Sequence, residues 1–192
     1  SCDDTPVSGY SDSSAAGTCP QEEVVTRTWT GMDDCGNASS CDQIINVVDT
    51  TAPVITCPSD ATVNCEDDRS SANTDAATAT DSCDSSVTIT ESDSVAAGTC
   101  PQEEVITRTW TGTDDCGNAS SCDQIVAVID DEAPAITCPA DTTVNCEDDR
   151  TSANTGVATA TDNCDSEIDI VESDSVAAGS CPQEEVITRT WT

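Results

Sequence analysis

The chain has 192 residues, of which 38 are acidic and five are arginine, with no lysine and no histidine, giving a formal charge of -33. That balance excludes nucleic acid as a partner, because neutralising phosphate needs a basic patch, and it disfavours anionic membrane surfaces. An aromatic content of 2% with no phenylalanine leaves little material for a large core, and no apolar run approaches the length of a membrane span.

In chain order, the first strand signal is "EEVVTRTWTG" at 22–31, followed by "CDQIINVVD" at 41–49. The "DTTAP" at 49–53 reads as a boundary, because proline after an acidic turn ends one sheet and opens the next. Beyond it come "APVITCP" (52–58), "DATVNCE" (60–66), a weaker "DAATATD" (75–81), "SSVTITESD" (85–93), "EEVITRTWTG" (103–112) and "CDQIVAVID" (122–130). These are β-branched runs bounded by turn residues, and no segment reads as a helix of useful length. A second boundary, "DDEAP" at 130–134, precedes another pass through the same series.

The repetition is exact in register. Shifting Cys2, Cys19, Cys35, Cys41, Cys57, Cys65, Cys83 and Cys100 by 81 residues lands on Cys83, Cys100, Cys116, Cys122, Cys138, Cys146, Cys164 and Cys181, with no gap. "CPQEEVITRTWT" stands at both 100–111 and 181–192. A fixed period marks an array, and a unit this long with its own cysteines argues for successive small domains. The expected domains are a partial repeat at 1–49, a complete repeat at 50–130 and a partial repeat at 131–192. The chain is expected to be a window on a longer array, with the end-to-end association of separate chains by strand exchange as the runner-up.

About seven short strands per period predict an all-β fold of tandem immunoglobulin-like sandwiches, stapled by disulfides. Together "APVITCP", "ATATDSCD", "VITRTWTGTDDCGNASSCDQIVAV" and the "DTTAP" linker resemble the hyalin repeat (HYR) and HYR-like modules of secreted bacterial and animal proteins. The resemblance implies an immunoglobulin-like fold and an extracellular role in adhesion or architecture, with no catalytic residues to transfer.

Fourteen cysteines without histidine and without a CxxC pair fit disulfides better than zinc, and disulfides imply a secreted or cell-surface location. In a sandwich, the strand at 103–112 is about 30 Å long, which puts Cys100 and Cys116 at opposite ends and out of bridging range. The expected pairs are Cys57–Cys122, Cys65–Cys100 and Cys83–Cys116, with Cys2–Cys35 and Cys146–Cys181 as their repeats. Cys19, Cys41, Cys138 and Cys164 are then left without partners inside the chain. The alternative, Cys65–Cys83 with Cys100–Cys116, requires bent strands and stays open.

The acids cluster at turns and linkers: Asp81 and Asp84, then Asp114 and Asp115, lie near Asp49 in the sandwich reading. At the other end Glu66, Asp67 and Asp68, with Glu103 and Glu104, stand beside the outgoing linker residues Asp130, Asp131 and Glu132, and Asp162 and Asp165 are further candidate ligands. Calcium takes six to eight oxygen ligands in flexible geometry and suits such clusters as metal sites; the alternative is a solvated acidic surface that keeps the array soluble and extended. Arg108, between Ile106 and Trp110 on one strand face, is expected to be structural, stacked on the indole. Asn37 and Asn118 open "NAS" sequons in polar turns, and the many Ser and Thr residues are candidate sites for O-glycans. Without histidine, and with its acids recurring in each repeat, the chain is not expected to be an enzyme. Near-identical copies favour length over variety, and so a structural stalk or filament whose partners are neighbouring repeats or copies. An adhesin that binds glycan or protein through exposed loops is the alternative.

Overall fold

The computed structural model describes residues 7–192. Apart from two single-turn helices it is all-β and has several sheets. Strands β1 (Val7–Ala16), β2 (Glu23–Met32) and β3 (Ala38–Val47) form an antiparallel meander in which Tyr10 faces Trp29 and Asp12 faces Arg27. The middle of the chain supplies β4 (Val54–Thr56), β5 (Ala61–Asn64), α1 (Ser71–Thr74), β6 (Thr78–Thr80), β7 (Thr88–Ala97), β8 (Glu104–Thr113) and β9 (Ala119–Ile129). Here β4 pairs with β6, and a second sheet runs in the order β5-β9-β8-β7. The last stretch holds β10 (Ala135–Thr137), α2 (Ser152–Thr155), β11 (Thr159–Thr161), β12 (Glu172–Ala178) and β13 (Glu185–Trp191), paired β10-β11 and β12-β13. The β2 and β8 boundaries differ by the sequence period of 81, as do those of α1 and α2.

By spatial contact the chain divides into two compact units. The first comprises Ser1–Ala61, Ser70–Val95 and Ile106–Val126; the second comprises Thr62–Arg69, Ala96–Val105 and Ala127–Thr192. This division interleaves the sequence periods rather than following them.

The core is thin and lies on alternate positions of two strands, as the period of a half-buried strand requires. Along β8 the buried residues are Ile106, Arg108 and Trp110, and along β9 they are Gln124, Val126 and Val128. A Cβ added at Gly112 would meet Ala79 Cβ and Val87 Cγ1 at 3.4 Å and Ile55 Cδ1 at 3.7 Å. Ile55 of β4 and Ala79 of β6 therefore lie over the inner face of β8. A Cβ added at Gly31 of β2, the period-mate of Gly112, would meet nothing within 4 Å, and Trp29 is 40% exposed where its period-mate Trp110 is 4% exposed.

Two turns explain how the hairpins close. In the β7–β8 turn, Glu103 accepts the backbone N–H groups of Thr99 (2.9 Å) and Cys100 (3.2 Å) as well as the Thr99 hydroxyl. Gly98 must be glycine here, because a Cβ would lie 2.4 Å from Glu103 Cβ and 2.9 Å from its carbonyl carbon. In the β8–β9 turn, Asp114 accepts the N–H groups of Cys116 (2.9 Å) and Asn118 (2.8 Å), and Gly117 supplies the left-handed φ of +90°.

One ion pair organises each hairpin. Arg108 Nε and Nη2 donate to both oxygens of Asp93 at 2.8 Å, and Nη1 donates to Thr74 Oγ1 at 2.9 Å. The same clamp joins Arg27 to Asp12 and Arg189 to Asp174, and Arg189 likewise donates to Thr155. Arg108, expected to be structural, has its guanidinium on this carboxylate and hydroxyl, while in the first hairpin Arg27 lies 4.4 Å from the Tyr10 ring.

The Arg108 hydrogen bonds hold the Asp93 carboxyl below its ordinary range, with burial opposing. A carboxyl depressed in the folded state stabilises fully above its unfolded pKa, and that contribution disappears as pH falls through the folded value. Arg108→Met should therefore destabilise the chain by about 2–4 kcal/mol at pH 7, since it strands Asp93 and Thr74 beside a buried site. Thermal melts from pH 7 to pH 2 should show the gap to the parent narrowing below about pH 4. A gap that does not change with pH would assign the loss to packing alone.

Candidate functional site

The site that the fold builds is a network of cysteines framed by turn carboxylates. Cys57, just after β4, is joined to Cys122 in β9, with alpha carbons 6.0 Å apart. Cys19, in the β1–β2 turn, is joined to Cys116 in the β8–β9 turn at 5.1 Å. Cys65, at the end of β5, is joined to Cys164 at 5.8 Å. All three separations lie in the range a disulfide requires.

Cys57–Cys122 is the pair that the sequence reading joined. The others correct it. Cys65 does not reach Cys100, because the strand order β5-β9-β8-β7 puts at least one strand between β5 and the β7–β8 turn, about 10 Å or more at normal strand spacing. Cys83 and Cys116 do sit on loops that meet, through Asp115 N–H on Asp84 at 2.8 Å, but Cys116 is bonded to Cys19 and Cys83 is an exposed thiol. Cys146 and Cys181 are both free and exposed rather than paired, and so is Cys35. Its expected partner Cys2 lies outside the described residues. Cys19 and Cys164, left without partners by the sequence reading, are the two residues it missed.

A signal for them existed. The pairs of the open alternative, Cys65–Cys83 and Cys100–Cys116, return here with one member taken from the next period, since Cys164 repeats Cys83 and Cys19 precedes Cys100 by 81 residues. A straight strand keeps Cys100 from its own period's Cys116, but it does not keep the preceding period's cysteine away.

The expected metal ligands separate into saturated and unsaturated carboxylates. Asp84 is buried, with one oxygen on Ser86 N–H and the other on Asp115 N–H. Asp114 uses both oxygens as well, accepting from Cys116, Asn118 N–H and Asn118 Nδ2. Burial opposes ionisation of Asp114, but these Asn118 and backbone bonds outweigh it and hold the carboxyl below its usual range. Asp131 accepts Asn64 Nδ2 at 2.8 Å, and Asp165 accepts Glu167 N–H at 2.9 Å. Asp115 and Glu132 are exposed. Asp49 with Asp81, and Asp130 with Asp162, bring carboxylate oxygens to within 4.8 Å of each other, beside Cys83 and Cys164 respectively, and of these four only Asp49 and Asp81 keep a buried oxygen without a donor.

The remaining candidates are occupied structurally. Asn118 Nδ2 donates to Asp114 at 2.9 Å and to the Asp49 carbonyl at 3.2 Å, and Asn37 Nδ2 donates to Asp33 at 2.7 Å, so both sequon amides tie their own turns. All five arginines form ion pairs: Arg27, Arg108 and Arg189 with the hairpin aspartates, Arg69 with Glu104 and Arg150 with Glu185. Among the described residues no helix is long and apolar enough to cross a membrane. No protein-family model and no curated protein sequence matches the chain.

Mapping of non-reduced peptides from the oxidised chain should recover Cys19–Cys116, Cys57–Cys122 and Cys65–Cys164, with Cys83 and Cys100 alkylated as thiols. A Cys65–Cys100 or Cys83–Cys116 peptide would reject this network. Cys57→Ser with Cys122→Ser should cost about 4 kcal/mol, the loop-closure contribution of a cross-link spanning 65 residues.

Proposed function

We propose that the chain is a repeat segment of a long extracellular stalk or filament of a bacterial surface. Each period, complete at 50–130 and partial at 1–49 and 131–192, forms an immunoglobulin-like sandwich stapled to its neighbours. One observation carries this reading. Starting at Cys19, a covalent path crosses to Cys116, follows six residues to Cys122, crosses to Cys57, follows eight residues to Cys65 and crosses to Cys164. The backbone route between the same ends is 145 residues long. Tension applied between Cys19 and Cys164 is therefore carried by the disulfide path rather than by the backbone between them.

Such a path suits a spacer that must keep its length. Near-identical periods, exposed carboxylates and a uniformly negative surface give solubility and extension rather than varied recognition. Oxidising surroundings are needed to form the bridges, which supports an extracellular location. The partners of each period are its neighbours, in the same chain or in an adjoining copy. The uncovered face of β1–β3 is the face that β4 and β6 cover in the middle period.

The staples obey one rule: Cys65 joins the Cys83 equivalent of the next period, and Cys100 the Cys116 equivalent of the next. The complement of Cys100, 97 residues on by analogy with Cys19, falls beyond Thr192. A chain extended by one period should therefore convert Cys100 from thiol to a disulfide with that complement, read by peptide mapping. Cys100 remaining a thiol, or pairing within its own period, would overturn the stapled-array reading.

A further inference from the structure

Asp49 and Asp81 each hold one carboxylate oxygen that is buried and accepts no hydrogen bond. Asp49 is 7% exposed and sits in the linker after β3, where its Oδ1 takes Thr51 N–H at 3.0 Å. Asp81 follows β6, and its Oδ1 takes the N–H groups of Cys83 at 2.8 Å and Asp84 at 3.0 Å. In both residues Oδ2 is the atom without a donor, and the two carboxylates lie within 4.8 Å of each other. Two carboxylates brought this close, each with a buried oxygen that has no donor, oppose folding unless a positive charge joins them. The protein has none to spare, since it contains no lysine or histidine and all five arginines are paired elsewhere.

We infer that Asp49 and Asp81 bind a calcium ion. Their period-mates Asp130 and Asp162 take the equivalent backbone N–H groups, at 3.2 Å from Glu132 and at 2.8 and 2.9 Å from Cys164 and Asp165, but neither keeps a buried oxygen without a donor, and no second ion is assigned there. Cys83 Sγ is near the Asp49–Asp81 pair but is an exposed thiol, whereas the atoms that lack a partner are the two buried carboxylate oxygens, so oxygen is the donor on which the site is built. A site built of carboxylates, completed by water, selects a hard cation with flexible coordination, which is calcium rather than zinc. Bound there, the ion ties the linker between two periods to the loop between β6 and β7. This role rests on the array reading above, and Asn118 Nδ2 on the Asp49 carbonyl already holds the same linker from the other side.

The test is calorimetric titration of the oxidised 192-residue chain with calcium chloride, paired with thermal melts in chelator and in millimolar calcium. One equivalent is expected. Asp49→Asn or Asp81→Asn should remove it, and neither Cys83→Ser nor Asp130→Asn should. In chelator, Asp49→Asn should melt no lower than the parent, because it relieves a repulsion. In calcium the parent should rise by several degrees and Asp49→Asn should not. Diffuse uptake with unchanged stoichiometry in the variants, zinc uptake abolished by Cys83→Ser, or no calcium effect at all would each overturn the assignment. Peptide mapping of the same samples reads the disulfide staples independently, so loss of the calcium site would leave the stapled array standing, and the reverse.

Discussion

Cys19 and Cys116 stand 97 residues apart in a chain whose sequence repeats every 81, and yet they are bonded to each other. Cys65 and Cys164, 99 residues apart, do the same. Each bridge joins one period to the next rather than closing a period on itself. In the chain-entropy picture a loop of this size removes about 4–5 kcal/mol of denatured-state freedom, although overlapping loops share part of that. For a protein with no phenylalanine and a core resting on Ile106, Trp110, Val126 and Val128, such cross-links supply stability that burial cannot.

The polar interactions work on a shorter range and make the bridges possible. The Arg108–Asp93 clamp fixes β7 against β8, and Thr74 links that clamp to α1. Gln124, fully buried in β9, donates to the carbonyls of Ser59 and Thr74 and so holds the loop after β4 and the end of α1 against the strand. Glu103 and Asp114 shape the turns that carry Cys100 and Cys116. Each cysteine is thus presented by a turn whose backbone donors are already satisfied. Depressed carboxyl pKa values at Asp93, Glu103 and Asp114 are the electrostatic record of this arrangement.

Much of this was legible in the sequence. The β-branched run at 103–112 is β8 within one residue, and the alternation Ile106, Arg108, Trp110 gave its buried face. Cys100 and Cys116, which that strand's length was expected to hold apart, are not bonded to each other. What the sequence could not supply was which period a partner comes from. Every cysteine type recurs at the same place in each period, so an exchange between neighbours leaves the spacing pattern unchanged. Loop positions could be read, but not the direction in which Cys83 and Cys116 leave loops that touch through Asp84 and Asp115. The acids show the same limit. Composition marked Asp49, Asp81, Asp84 and Asp114 alike, and only the hydrogen bonds separate saturated Asp84 and Asp114 from Asp49 and Asp81, which keep a bare oxygen.

The most direct measurement is single-molecule pulling on the chain held by its two ends, oxidised and then reduced. With the three bridges closed, fourteen residues of backbone lie on the covalent path from Cys19 to Cys164, six after Cys116 and eight after Cys57. At full extension that path spans about 65 Å, counting the three bridges of 5.1, 6.0 and 5.8 Å, whereas the 145-residue backbone route freed by reduction spans about 490 Å. The account predicts that reduction releases roughly 425 Å of additional length and that the oxidised chain releases none of it. An oxidised chain that yields hundreds of ångströms between those points would show that successive periods are not stapled.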